Sequence, residues 1–164
     1  MTAPNECACD HCKSCCESRP GWFAPGEAEK AAEHLGLTLP EFFAKHLGVD
    51  WIEECEETDE EVFILAPALE GEPAGAEYPG RPTGRCSLLT AEGTCMIHPA
   101  KPRECAHAYH DHTHEQAEAL HMETGLMWKE HQQQIRDLLG REPEATPMMP
   151  WFGGPFGAYL ARLK

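Results

Sequence analysis

Basic residues are scarce in this chain. Thirteen lysines and arginines stand against 28 aspartates and glutamates in 164 residues, for a net charge of −15. Phosphate-backbone binding is driven by Lys and Arg neutralising phosphates, so the expectation is no nucleic-acid partner. Nor is there a polybasic patch for an anionic membrane, or an apolar run long enough to span a bilayer, so no membrane partner is expected. The charged and apolar regions of a secretory signal are missing after Met1, which leads to the expectation of a cytoplasmic protein whose thiols stay reduced. A P-loop, a dinucleotide fingerprint and a Ser/His/Asp motif are all lacking, so the sequence supports neither nucleotide-dependent nor triad chemistry.

Cysteine, by contrast, is abundant. The nine cysteines are an odd number, and Cys15-Cys16 is a poor vicinal pair to bridge, which favours metal binding over a disulfide scaffold. Four of them fall in eight residues, Cys9-Asp10-His11-Cys12-Lys13-Ser14-Cys15-Cys16. If that stretch is helical, Cys9, Cys12 and Cys16 share a face, with Cys15 one step round on the same side. As an extended loop, C-x-x-C is the usual way to present two thiolates to one ion. Both readings put a metal here.

After a turn-rich connection at Arg19-Pro20-Gly21-Trp22-Phe23-Ala24-Pro25-Gly26, Glu27 to Leu35 reads as a short helix stopped by Gly36. Leu39 to Leu47 reads as a second helix, with Pro40 in its first turn, Gly48 closing it and Phe42, Phe43 and Leu47 on one face. His34 and His46 fall near the ends of these helices, where a cationic side chain is welcome. Glu53 to Glu61 carries seven acids in nine positions and reads as a solvated face; Cys55, inside it, is neither ligand nor nucleophile by this reading. Val62-Phe63-Ile64-Leu65 suits a buried strand, and the Pro- and Gly-rich Glu70 to Thr83 suits a loop.

A second cysteine region follows. Cys86-Ser87-Leu88-Leu89 and Thr94-Cys95-Met96-Ile97 look like two short strands turning at Glu92-Gly93, a hairpin that carries Cys86 and Cys95 towards a common point. Pro99 and Pro102 then impose a rigid bend that can return Cys105 to the same place. With the N-terminal four, this makes seven candidate ligands: Cys9, Cys12, Cys15, Cys16, Cys86, Cys95 and Cys105.

The pattern Cys9-x-x-Cys12-x-x-Cys15-Cys16, then Cys86-x-Leu88, Gly93-x-Cys95-x-Ile97 and Pro102-x-x-Cys105, resembles the CxxCxxCC (YkgJ-like) cysteine-cluster family. That family is described as a zinc- or iron-chelating domain, and the resemblance implies that these seven cysteines are the chelating positions. Lys101 stands where the family commonly has Arg, and Ala106-His107-Ala108-Tyr109-His110 replaces its usual basic-aromatic-proline run. Some relatives look like flagellin lysine methylases. Cys7 and Cys55 match nothing in the pattern.

Zinc accepts a closed Cys₄ site, a Cys₃His site or bridging thiolates. Iron–sulfur is the competitor, because Cys9-x-x-Cys12-x-x-Cys15 has the C-x₂-C-x₂-C core of ferredoxin-type binding. The fourth ferredoxin cysteine and its proline are not at the expected spacing, and zinc is the cofactor favoured. An odd number of thiols leaves room for an imidazole. His107, His110, His114 and His121 would share a face on one continuous helix, yet Thr113-His114-Glu115-Gln116 reads as a capping box that starts the helix at His114 and leaves His107 to His112 in a loop. His107 and His110 are taken as candidate ligands, with His112, His114 and His98 as alternatives.

The longest helix is expected from His114 to Leu139, with Gly125 a weak point and Gly140 the stop. Residues 141–164 form a Pro-rich and aromatic extension expected to pack on the 1–140 metal-binding domain or to dock a protein partner. The expected fold is a single small domain, mainly α with a small β-hairpin and long loops, organised by a cysteine metal cluster. Three function classes follow: a metal-binding protein chelating zinc or iron, an iron- or iron–sulfur-dependent enzyme, and a zinc-stabilised interaction module. Because a coordinated thiol is deprotonated and a free one protonated, metal-linked stability should weaken as pH falls into the acid range. Metal analysis of single Cys→Ser variants should show loss at each of the seven positions and full content in Cys7→Ser and Cys55→Ser. Equal loss in both sets would refute the assignment.

Overall fold

The computed structural model describes residues 10–53, 61–78, 83–106 and 112–145, with the side chains of His11, Cys12 and Glu53 left aside. In chain order the elements are α1 (Asp10–Ser18), α2 (Glu27–His34), α3 (Leu39–His46), β1 (Leu47–Glu53), β2 (Glu61–Pro67), α4 (Arg103–Ala106), α5 (His114–Leu126) and α6 (Gln132–Leu139). The domain is helix-rich with one small antiparallel β-ribbon, as expected for its class. Among the described residues no helix is long and apolar enough to cross a membrane.

Short-range chemistry explains several boundaries. Thr38 caps α3 through a reciprocal box with Glu41, and Pro40 sits in the first turn. Thr113 does the same for α5 with Gln116, so the helix begins at His114 as the capping box predicts. Gly140 closes α6 at φ 71°, a left-handed conformation that glycine adopts without strain. His46 is half-buried near Phe42, and burial pushes its pKa below the usual value. The cationic form expected at that helix end is therefore disfavoured.

The ribbon lies elsewhere than expected. β1 and β2 pair from Leu47↔Pro67 to Glu53↔Glu61, on either side of the acidic run. Cys86 to Ile97 instead makes isolated bridges, Leu69↔Cys86 and Leu89↔Cys95, joined by tight turns. The reason is burial. Val62 through Leu69 is continuously buried, a stronger demand for ladder pairing than the short Cys86–Leu89 run can make.

A two-stranded ribbon is marginal by itself, so its edges matter. Beside β2, Phe23 N–H donates to Leu65 O at 2.9 Å. The Gln132 carboxamide serves Phe63, accepting its N–H at 3.0 Å and donating to its C=O at 2.9 Å. Beside β1, Val49 N–H donates to Ala76 O and Tyr78 N–H to Val49 O. The core of Phe23, Phe42, Leu47, Ile64, Leu65, Trp128 and Ile135 lies around this ribbon.

The expected single helix to Leu139 is broken at a 3₁₀ turn, Met127–His131. Trp128 is the cause. It is 1% exposed, and its Nε1–H donates to Phe23 O at 2.6 Å, so the chain tightens to drive the indole inward. Arg141 pairs with Glu77 at 2.5 Å and Ala145 packs against the core. The Trp151–Leu160 aromatic segment lies outside the described residues.

Gln132→Met preserves side-chain length but strands the Phe63 N–H and C=O. The expected loss is about 1–3 kcal/mol, measured by urea unfolding. An unchanged midpoint would show that the strand edge does not depend on the carboxamide.

Candidate metal centre

The last carbonyls of a helix need partners outside it, and those of α1 find them in the second cysteine segment. Cys16 O accepts from Cys86 N–H and Ser18 O from Gly84 N–H, each at 2.7 Å. Cys86 is bridged to Leu69 at the end of the buried run and is 6% exposed. Arg85 holds the following turn by donating to Leu89 O at 2.8 Å and Thr90 O at 2.7 Å. The Leu89↔Cys95 bridge then folds Cys95 back beside Cys86. A 3₁₀ turn, His98–Ala100, and the buried Pro102 lead into α4, which carries Cys105. The bend after Pro99 and Pro102 thus leaves Cys105 within electrostatic reach of Cys16 and Cys86.

Four thiols from three stretches of chain therefore act on one another. Burial pushes the Cys86 thiol up to about 12, with Cys16 and Cys95 adding to the rise. Cys105 lies well above the usual thiol range, chiefly through burial and then through Cys16 and Cys86, although the residue as a whole is only half-buried. Cys16 is raised by burial, Cys95 and Cys15, and Cys95 by burial; Lys101 pulls both down. The physical content is plain. Four thiolates in this volume would repel one another in a medium that solvates them poorly, so without a cation they stay protonated. A soft divalent ion reverses that preference, because it deprotonates the thiols it binds. The donor set fits zinc or iron in its chemistry.

Mutual influence reaches further than coordination distance. Among the described residues, no three His, Cys, Asp or Glu side chains stand in ligand geometry around one point. Cys12 is a residue of α1 whose side chain is not described, and Cys9 lies outside the described residues, as do Cys7 and Cys55. Comparison with protein-family models, curated proteins and solved structures gives no match.

The remaining predicted residues divide clearly. Cys15 is exposed, one helical step from Cys16, whereas Cys86 is buried and Cys16, Cys95 and Cys105 are half-buried. His107 and His110 lie outside the described residues. His114 is on the surface beside Glu118 at 3.1 Å, and His98 is exposed. His121 faces inward, with Nδ1 3.0 Å from Glu104 Oε2. Sequence reasoning missed Glu104 and the influence of Lys101. Lys101 had a signal, since a cation at a Cys-x-x-x-x-x-Lys spacing suits thiolates; Glu104 had none, being one acid among 28.

Among Cys15, Cys16, Cys86, Cys95 and Cys105, alkylation in the presence of chelator and reductant should modify Cys15 first and Cys86 and Cys105 last. A thiol with a pKa of about 12 is thiolate in roughly one molecule in ten thousand at pH 8. Mass spectrometry of partial digests reads the order, and equal rates at Cys15 and Cys86 would contradict the burial described here.

Proposed function

We propose that this chain is a metal-binding protein that chelates zinc, or alternatively iron, through a two-segment cysteine cluster. The observation that carries the reading is the convergence of Cys16, Cys86, Cys95 and Cys105 from α1, the bridged turn and α4. Cys9, Cys12 and Cys15 belong to the same N-terminal stretch and complete the candidate set, with His107 and His110 as candidate imidazole ligands. The resemblance to the CxxCxxCC family supports the same seven cysteines. A reducing, cytoplasmic setting suits thiols kept for metal.

Magnitude favours a metal that stabilises the fold. Structural zinc contributes an apparent ~10–16 kcal/mol at neutral pH in small domains. The whole stability of a typical domain is about 5–15 kcal/mol. The α1 helix has little apolar surface with which to dock, and among its described side chains only Cys16 packs against the core. Coordination would supply what burial does not. A second reading, a zinc-stabilised interaction module, is favoured by one observation: Met122, Leu126 and Met127 are each about two-fifths exposed on neighbouring turns.

Removal of the metal with a strong chelator should release amide protection over 10–18 and 84–105 together. Protection over α5 and α6, which rests on Trp128 and Ile135, should largely persist. Hydrogen exchange followed by mass spectrometry measures both. Unchanged protection in the two cysteine segments after the metal has gone would make the cluster an accessory and overturn the reading.

A further inference from the structure

One side of the thiol cluster is backed by polar groups that the ligand set does not use. Gly21 lies against the Cys105 thiol. Trp22 donates its backbone N–H to Glu104 Oε2 at 2.9 Å, and Arg103 donates its own to Glu27 Oε1 at 2.9 Å. Two successive residues of α4, Arg103 and Glu104, are thus bonded to the 21–27 segment. The approach is close. A Cβ on Gly21 would stand 2.7 Å from Glu104 Cβ and 3.1 Å from Cys105 Sγ, so any side chain there displaces α4.

Glu104 is held from its other side as well. Its side chain is 8% exposed, and both carboxylate oxygens lie at 3.0–3.2 Å from His121 Nδ1. The imidazole is stacked on the Trp22 indole with centroids 3.4 Å apart and planes 25° apart. Trp22 Nε1–H donates to Oδ2 of the half-buried Asp50 at 2.9 Å, which fixes the indole under the imidazole. A buried carboxylate is costly to retain for stability alone. Here it joins α5, the Trp22 amide and α4 at the residue next to Cys105. Groups that orient a metal ligand and donate to it change affinity about 10–100-fold when removed.

We propose that Gly21, Glu104 and His121 are positioning residues of the cysteine metal centre, a role that rests on the metal-binding reading above. His121 and the Trp22 amide hold the Glu104 carboxylate. The carboxylate holds α4, and the side-chain-free approach of Gly21 lets α4 seat Cys105 against the 21–22 segment.

The test uses the full chain, with Co(II) alone as a spectroscopic probe and zinc competition to read affinity. Glu104→Ala and His121→Phe should bind Co(II) about 10–100-fold more weakly, with a shifted thiolate-to-cobalt charge-transfer band. Glu104→Gln, which keeps an acceptor for the Trp22 and His121 N–H groups, should recover most of the affinity and the band. His114→Ala, on the surface beside Glu118, should match the unaltered chain. Circular dichroism of the metal-free forms establishes folding. His121→Phe keeps a ring on Trp22 and carries the test if Glu104→Ala does not fold. Unaltered affinity and band in His121→Phe would overturn this inference alone, as would the absence of rescue in Glu104→Gln. An unaltered chain that binds neither Co(II) nor zinc would overturn the metal-binding reading, and this inference with it.

Discussion

A two-stranded ribbon has two open edges, and closing them governs where the rest of this chain lies. β1 and β2 are buried along much of their length, so each unpaired backbone group on their outer sides needs a partner. Irregular segments supply them. Phe23 bonds to Leu65, the 75–78 stretch bonds to Leu47 and Val49, and the Gln132 carboxamide stands in for a strand at Phe63. Because Phe23 is tied to β2, its neighbours Gly21 and Trp22 are delivered to α4. The thiol cluster is therefore positioned by edge pairing of a ribbon that contains none of its cysteines.

The same constraint explains the break in the long helix. The 3₁₀ turn carries Trp128 against Phe23, and Gln132, four residues on, lies opposite Phe63. That turn changes the rotation per residue and satisfies both contacts. Gly125, weak by helix propensity, is required where it stands. A Cβ there would come within 2.9 Å of both Ile52 Cδ1 and Trp22 Cζ3. Propensity loses to packing at this position because the closest neighbours are core side chains.

The cysteines meet in an environment that suits thiols and opposes thiolates. Burial dominates at Cys16, Cys86, Cys95 and Cys105, and the thiols raise one another besides, with Lys101 a partial counterweight at Cys16 and Cys95. Such an arrangement keeps the thiols neutral unless a cation is bound among them. The Trp22–His121–Glu104 assembly lies behind this cluster. It gives the chain a polar brace at a place where an apolar contact would have served stability equally well.

Residue order alone determined whatever depends on neighbours a few positions apart. The capping box at Thr113, the stops at Gly36 and Gly140, the proline in the first turn of α3 and the buried β2 run all follow from local backbone chemistry and side-chain period. The spacing of the cysteines likewise marked two segments of candidate ligands before any geometry was known. Tertiary structure decided the rest, because it depends on pairings between residues far apart in the chain. Leu47 begins a strand rather than ending a helix, since its partner Pro67 lies twenty positions away. Cys15 stays exposed while Cys16 turns inward, because only Cys16 has its carbonyl bonded to Cys86. Glu104, anonymous among so many acids, acquires its role only because Trp22, 82 residues distant, and His121, 17 residues distant, are packed against it.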